Sequence, residues 1–355
     1  MKRITLLTAI LTIAAAVHAQ SPSGFKVQTR YSIAGTDGWD YITVDSGARR
    51  IYVSHAVRVN VLNADTGAPL GTIEDTPGVH GIALAPSSGH GFTSNGKENK
   101  VSMFSTADFS LIKKIVVGKG PDGIYYDPGT NRVFTNNHGS HDISVIDAAK
   151  GELVGTVSVG GDGEGAGIGK DGLIYVALED KSEICAFDPK TLEVKRHIPL
   201  VGITAPTGLA IDRENDRIFV GGHNRTAQVL DVATAKVLAS FATGSGTDAA
   251  GWDATDGLAF ISNGEGNITV IQEKSPMEFV TLDPIQTQQS AKTMTFDNKT
   301  GKILLPAATV VVTAATDASQ KPKKSITDGT FAVLVVGKLE HSASTSDALR
   351  SPTLM

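Results

Sequence analysis

A single cysteine, Cys185, stands among 355 residues. No internal disulfide is available, so the fold must hold by packing and hydrogen bonding alone. In the apolar run EICAFDP that thiol reads as a buried core residue. The motifs C-x-x-C-H and G-x-S-x-G are both missing, which leaves a c-type haem and a nucleophile-elbow hydrolase without support. Neither a Lys/Arg block nor a basic tail occurs, and the formal net charge is −5. A surface that works by neutralising phosphates is therefore disfavoured, and nucleic acid is not an expected partner. The stretch GGDGEGAGIGKDG, residues 160–172, imitates a phosphate-binding loop, but no helix pattern follows it to supply a dipole. It reads as a turn, and neither nicotinamide nor flavin is signalled.

Long apolar runs are lacking too, apart from the one that opens the chain, MKRITLLTAILTIAAAVHAQ. Lys2 and Arg3 precede an apolar stretch, and Val17-His18-Ala19 makes a small-residue cleavage site. Residues 1–19 therefore read as a signal peptide, too short for a lasting membrane anchor. The expected location is periplasmic or secreted, without a transmembrane segment, and the expected state is a monomer.

What the chain has in quantity is glycine, 38 residues, and short β-branched runs, a composition that suits an all-β protein with many tight turns. The runs recur. WDYITVDSGARRIYVSH, VHGIALAPSSGHGFTSN, PDGIYYDPGTNRVFTNN, GEGAGIGKDGLIYVAL, PTGLAIDRENDRIFVGG, TDAAGWDATDGLAFISN and AKTMTFDNKTGKILLP each read strand, turn, strand. A connector, a third strand and a fourth strand follow in most of them. Seven copies spaced by roughly 40 residues, each with four antiparallel strands, predict a seven-bladed β-propeller over residues 20–338. The segment FKVQTRYSIA precedes the first full unit and is expected to supply the missing strand of the last blade, closing the ring. Residues 307–330 are an insertion in blade seven, read either as a lid or docking loop or as a loose surface loop, with TVVVTAA able to add a strand. Residues 339–355 read as a disordered polar tail.

The units RRIYVSH, NRVFTNN and DRIFVGG, followed by V.D..TG and a G..P.G turn, resemble the YVTN-type, YncE-like β-propeller repeat proteins of bacteria. The resemblance covers residues 25–338 and implies the fold. It implies no particular activity, because one propeller scaffold hosts many functions.

Aligning the repeats on the turn aspartates Asp45, Asp127, Asp212, Asp253 and Asp297 and counting back five gives one position per blade. It holds Asp40, His80, Asp122, Glu164, Thr207, Asp248 and Lys292. Five of the seven carry formal charge and a sixth is histidine, where charge on about a quarter of positions is usual. The position that ends the second strand holds His55, Asn95, Asn137, Leu178, Gly222, Asn263 and Pro306, with His138 and His223 just beyond it. In a propeller both positions face the mouth of the central channel. Converging carboxylates raise one another's pKa unless a cation compensates. A divalent ion held by Asp122, Glu164 and Asp248, with His80, His55, His138 and His223 as imidazole donors, is one solution. Asp40, Lys292, Asn137 and Asn263 complete the expected ligand-binding set. The same residues can instead bond backbone N–H groups between blades. Two functional readings stand. One is a non-catalytic propeller binding a small molecule, metal ion or protein partner at this face. The other is a metal-dependent hydrolase or lactonase, comparable with propeller lactonases of the gluconolactonase type.

Overall fold

The computed structural model describes residues 21–313 and 322–339. Residues 1–19, expected as a signal peptide, most of the tail and the tip of the insertion lie outside the described residues. Seven four-stranded antiparallel sheets follow one another, as expected. Blade three shows the plan, with Pro121–Asp127 innermost, then Arg132–Asn137, Asp142–Asp147 and Glu152–Val157. In blade seven the outermost strand is Phe25–Ser32, paired with Ala332–Lys338. The first described strand thus joins the last sheet and completes the seventh blade, closing the ring.

The core is not central. Seven apolar clusters each lie between two neighbouring blades. Blades two and three, for example, meet through Phe92, Val101 and Met103 on one side and Val133 and Ile146 on the other. Phe25 and Tyr31 of the closing strand sit in the two clusters that flank blade seven. Both tryptophans pack in these seams, Trp39 on Phe331 and Trp252 on Phe219. Cys185 is fully buried, and loss of hydration, with Glu183 nearby, pushes its thiol up to about 12. It is a core residue, not a nucleophile.

The turn aspartates used to align the repeats have a local job. The carboxylate of Asp127 accepts the N–H groups of Gly129 and Thr130 and the Thr130 hydroxyl. Asp212, Asp253 and Asp297 make similar bonds to the residues two or three ahead. These are Asx turns, and they fix where each innermost strand ends. The insertion leaves Lys302–Ala307 and forms a hairpin in which Val310–Thr313 pairs with Lys323–Ile326. TVVVTAA therefore supplies an extra strand, separate from the blade sheets.

Candidate functional site

Each aligned residue except those of blades one and seven sits on a defect in its strand. In blade three the pairs run Pro121 to Asn137 and then Ile124 to Thr135, so Asp122 and Gly123 together oppose Asn136 alone. The same slip occurs at His80, Glu164, Thr207 and Asp248. Such bulges turn a side chain away from its regular direction. Here they aim it at the channel mouth. The backbone at the aligned position, bulged or not, is held by the preceding blade. Ser94 donates to the carbonyl of Asp122, Asn136 to that of Glu164, and Ser262 to that of Lys292. Thr293 donates to the carbonyl of Asp40 in the same way.

The side chains form one continuous polar chain. Asp248 lies 2.6 Å from the Lys292 ammonium, which lies 3.1 Å from Asp40 Oδ1. The other oxygen of Asp40 is 2.8 Å from His80 Nδ1, which is 3.6 Å from Asp122. His138 follows, with Nδ1 3.9 Å from Asp122 and Nε2 3.4 Å from Glu164. Finally Tyr41, from blade one, donates to Glu164 Oε2 of blade four at 2.8 Å. That bond crosses the channel and bars it.

The charges along this chain are not evenly compensated. Burial pushes the pKa of Asp40 up, but hydrogen bonding from His80 and the charge of Lys292 outweigh it, and the net shift is downward. His80 is the mirror case. Burial opposes its charged form, yet the bond to Asp40 and the charge of Asp122 raise its pKa. Lys292 is likewise held charged, since Asp248 and Asp40 outweigh its burial. Asp40 therefore sits between two cationic groups, and Asp248 faces the Lys292 ammonium directly, although burial still raises its pKa.

Asp122 and Glu164 have no such relief. Burial first, and then neighbouring carboxylates, raise both, Glu164 well above the usual range; His80 pulls Asp122 back only in part. The side chain of Glu164 is 10% exposed and that of Asp122 17%. Among the described residues the Asp122 carboxylate accepts no hydrogen bond, and Glu164 Oε1 has only the 3.4 Å approach of His138. A buried carboxylate without donors is costly and calls for a partner. His138 is already oriented for one. Its Nε2 is 2.9 Å from the carbonyl of Gly163, an acceptor only, so Nε2 carries the proton and the Nδ1 lone pair is free. Two groups offer ligand atoms within 4.8 Å of one another, Asp40–His80–Asp122 and Asp122–His138–Glu164. In the first, Lys292 and the proton on His80 already take the place of a cation. The second fits a divalent ion, with two carboxylate oxygens and an imidazole held from behind by a carbonyl.

The remaining expected residues are placed elsewhere. His55 is fully buried, bonded through Nδ1 to Asn60 and packed against Phe331, so it does not reach the ring. Asn137 is buried against Asp142 and Ser144, and Asn263 against Thr247, Asn267 and Thr269. Both tie strands together within their blades and do not join the ring. The reason is shared: the second strand keeps regular pairing to its last residue, so these side chains stay within the blade seams. Thr207 spends its hydroxyl on the Thr247 carbonyl. His223 faces Glu179 at 3.6 Å on the rim. A second rim group, His141, Asp162 and Asp180, is more exposed, and Lys181 already pairs Asp180 at 2.9 Å.

Two elements of the site were missed in the sequence reading. The inter-blade donors Ser94, Asn136 and Ser262 share one repeat position, the residue before the end of the second strand. Tyr41 follows Asp40 where the other blades have Gly81, Gly123, Gly165, Gly208, Ala249 and Thr293. A lone bulky residue in that row was a visible signal.

No family model matches the sequence, and no curated protein is found similar to it. Among solved structures, 1739 chains match, so the architecture is common and names no activity by itself. The structure of U3-55K superposes with a TM-score of 0.70 over 90% of this chain and all of that one, at 9% identity. At that identity the likeness is one of fold alone, that of a β-propeller.

Proposed function

We propose that the protein is an exported, YVTN-type propeller that binds one divalent cation at the barred mouth of its channel, through Asp122, Glu164 and His138. The observation that carries this reading is the split of the ring into a neutralised half and an uncompensated half. Two carboxylates and one imidazole suit Zn²⁺ or a similar borderline ion better than Ca²⁺, which prefers more oxygens. Tyr41 on one oxygen of Glu164 and Gly163 on the back of His138 hold two of the ligands in place before the ion arrives. Such a site can serve as a docking point for a small molecule or protein partner on the same face.

Titration calorimetry with Zn²⁺ alone tests the reading. It expects one ion per chain, protons released on binding, and affinity that rises with pH while Glu164 and Asp122 lose their protons. Asp122→Asn and His138→Ala should each weaken binding by at least tenfold, while Asp162→Asn on the rim leaves it unchanged. Binding absent from the wild type, or unaffected by the first two changes, overturns it. A lactone and ester screen on the loaded protein separates binding from hydrolysis.

A further inference from the structure

The far end of the channel carries a different kind of space. A cavity of about 680 Å³ opens there, against blades one to three. Its walls are the lower halves of three innermost strands, with Val44, Leu84, Ile82, Ile124, Tyr125 and Tyr126. A smaller space of about 130 Å³ continues upward past the same Ile82, Ile124 and Tyr125 and ends at Tyr41 and Glu164. The shared wall residues make the two one funnel. It is open at the turns bearing Ser46, Ser87 and Pro128 and closed by the Tyr41–Glu164 hydrogen bond.

The funnel has a defined chemistry along its length. Polar and charged side chains lie at its two ends, Asp45, Ser46 and Ser87 at the lip and Tyr41 and Glu164 at the closed tip. Between them the wall is aliphatic and aromatic, with the Thr43 hydroxyl spent on the Ile82 carbonyl. Tyr126 is tied to Ser87 and Asn131, and Tyr125 is stacked on Phe134, so the aromatic wall is stiff. The five steps from Tyr41 to Ser46 give a depth of about 16 Å at roughly 3.3 Å per residue. Volume, apolar wall and sparse polar ends are those of a small-molecule site. With carboxylates at both ends, an anion is disfavoured.

We propose that this funnel binds a neutral, elongated apolar molecule whose single hydroxyl reaches the Tyr41–Glu164 pair. The tip shares Glu164 with the cation position, Oε2 facing Tyr41 and Oε1 facing His138, but the funnel is approached from the opposite face and its occupancy does not require the ion.

Biphenyl-4-ol and its methyl ether are suitable probes, being rigid, uncharged and shorter than the funnel. The wild type should bind biphenyl-4-ol saturably at one site, by fluorescence and calorimetry, and the ether at least fivefold more weakly. Tyr41→Phe should abolish the difference between the two, an effect that general loosening of the fold would not produce. Ser87→Trp, and independently Pro128→Trp on the other side of the lip, should weaken both probes at least tenfold with an unchanged circular dichroism spectrum. Both side chains are exposed, so folding is not at issue. The proposal is overturned by non-saturable binding to the wild type, by equal affinity for phenol and ether, or by unchanged affinities in both lip variants.

Discussion

Asp122 stands between two imidazoles, 3.6 Å from one and 3.9 Å from the other, without a hydrogen bond to its carboxylate among the described residues. Its pKa and those of Glu164 and Asp248 are raised, chiefly by burial. A raised carboxyl contributes stability while it is protonated, and that contribution is lost as pH climbs from the ordinary carboxyl range through the folded-state value. His80, also raised, acts in the same sense from its ordinary 6.5 upward. Asp40, lowered, acts oppositely and only in acid. The metal-free protein should therefore lose thermal stability steadily as pH rises above 4.5, the ordinary glutamic acid value. Glu164→Gln should flatten that decline and make the protein more stable than the wild type at pH 8, because the raised carboxyl is then replaced by a group that never ionises. Differential scanning calorimetry across pH reads both effects. The same scan with Zn²⁺ present should reverse the slope.

At the scale of the strand and its seam, the innermost glycines matter because the next blade's backbone lies against them. A Cβ on Gly165 would sit 2.4 Å from the Thr207 carbonyl oxygen, and one on Gly208 2.6 Å from the Ala249 carbonyl carbon. Backbone cannot move aside cheaply, so Gly165→Ala should cost about 2–3 kcal/mol in urea unfolding. Gly38→Ala, where a Cβ meets nothing within 4 Å, should be near neutral. Losing an inter-blade donor should cost less. Asn136→Ala removes one hydrogen bond to the Glu164 carbonyl, worth about 1–2 kcal/mol, and should also blunt cation binding by loosening the bulge. These rows explain what could be read from the chain. The Asx-turn aspartates recur at fixed spacing, so blade count, strand order and the ring position were legible. The bulge at Asp122 and the slant of Tyr41 across the channel depend on pairing between strands, which periodicity does not encode. His55, Asn137 and Asn263 were misassigned for the same reason, because an end-of-strand position shows no sign of which way its side chain turns.

For the molecule as a whole, closure depends on one terminal strand. Phe25–Ser32 adds the fourth strand to blade seven, and Phe25 and Tyr31 complete two of the seven inter-blade cores. Deleting residues 21–32 should open the ring and abolish a single cooperative transition, read by calorimetry and by increased binding of an apolar dye. A weaker seam control lies one blade away, between blades five and six. Glu273 is pushed up to about 7, by burial and then by Asp212, and the two carboxyls join blades five and six. Glu273→Gln should leave the fold intact and remove part of the stability loss between pH 4.5 and about 7. The central claim concerns the other end of the channel, and a zinc-edge anomalous difference map from crystals grown with Zn²⁺ tests it most directly. It should show one strong peak bonded at about 2.0–2.2 Å to Asp122, Glu164 and His138 Nδ1. A map with no peak there, or with zinc only at Asp40–His80 or at His141, Asp162 and Asp180 on the rim, would contradict the account.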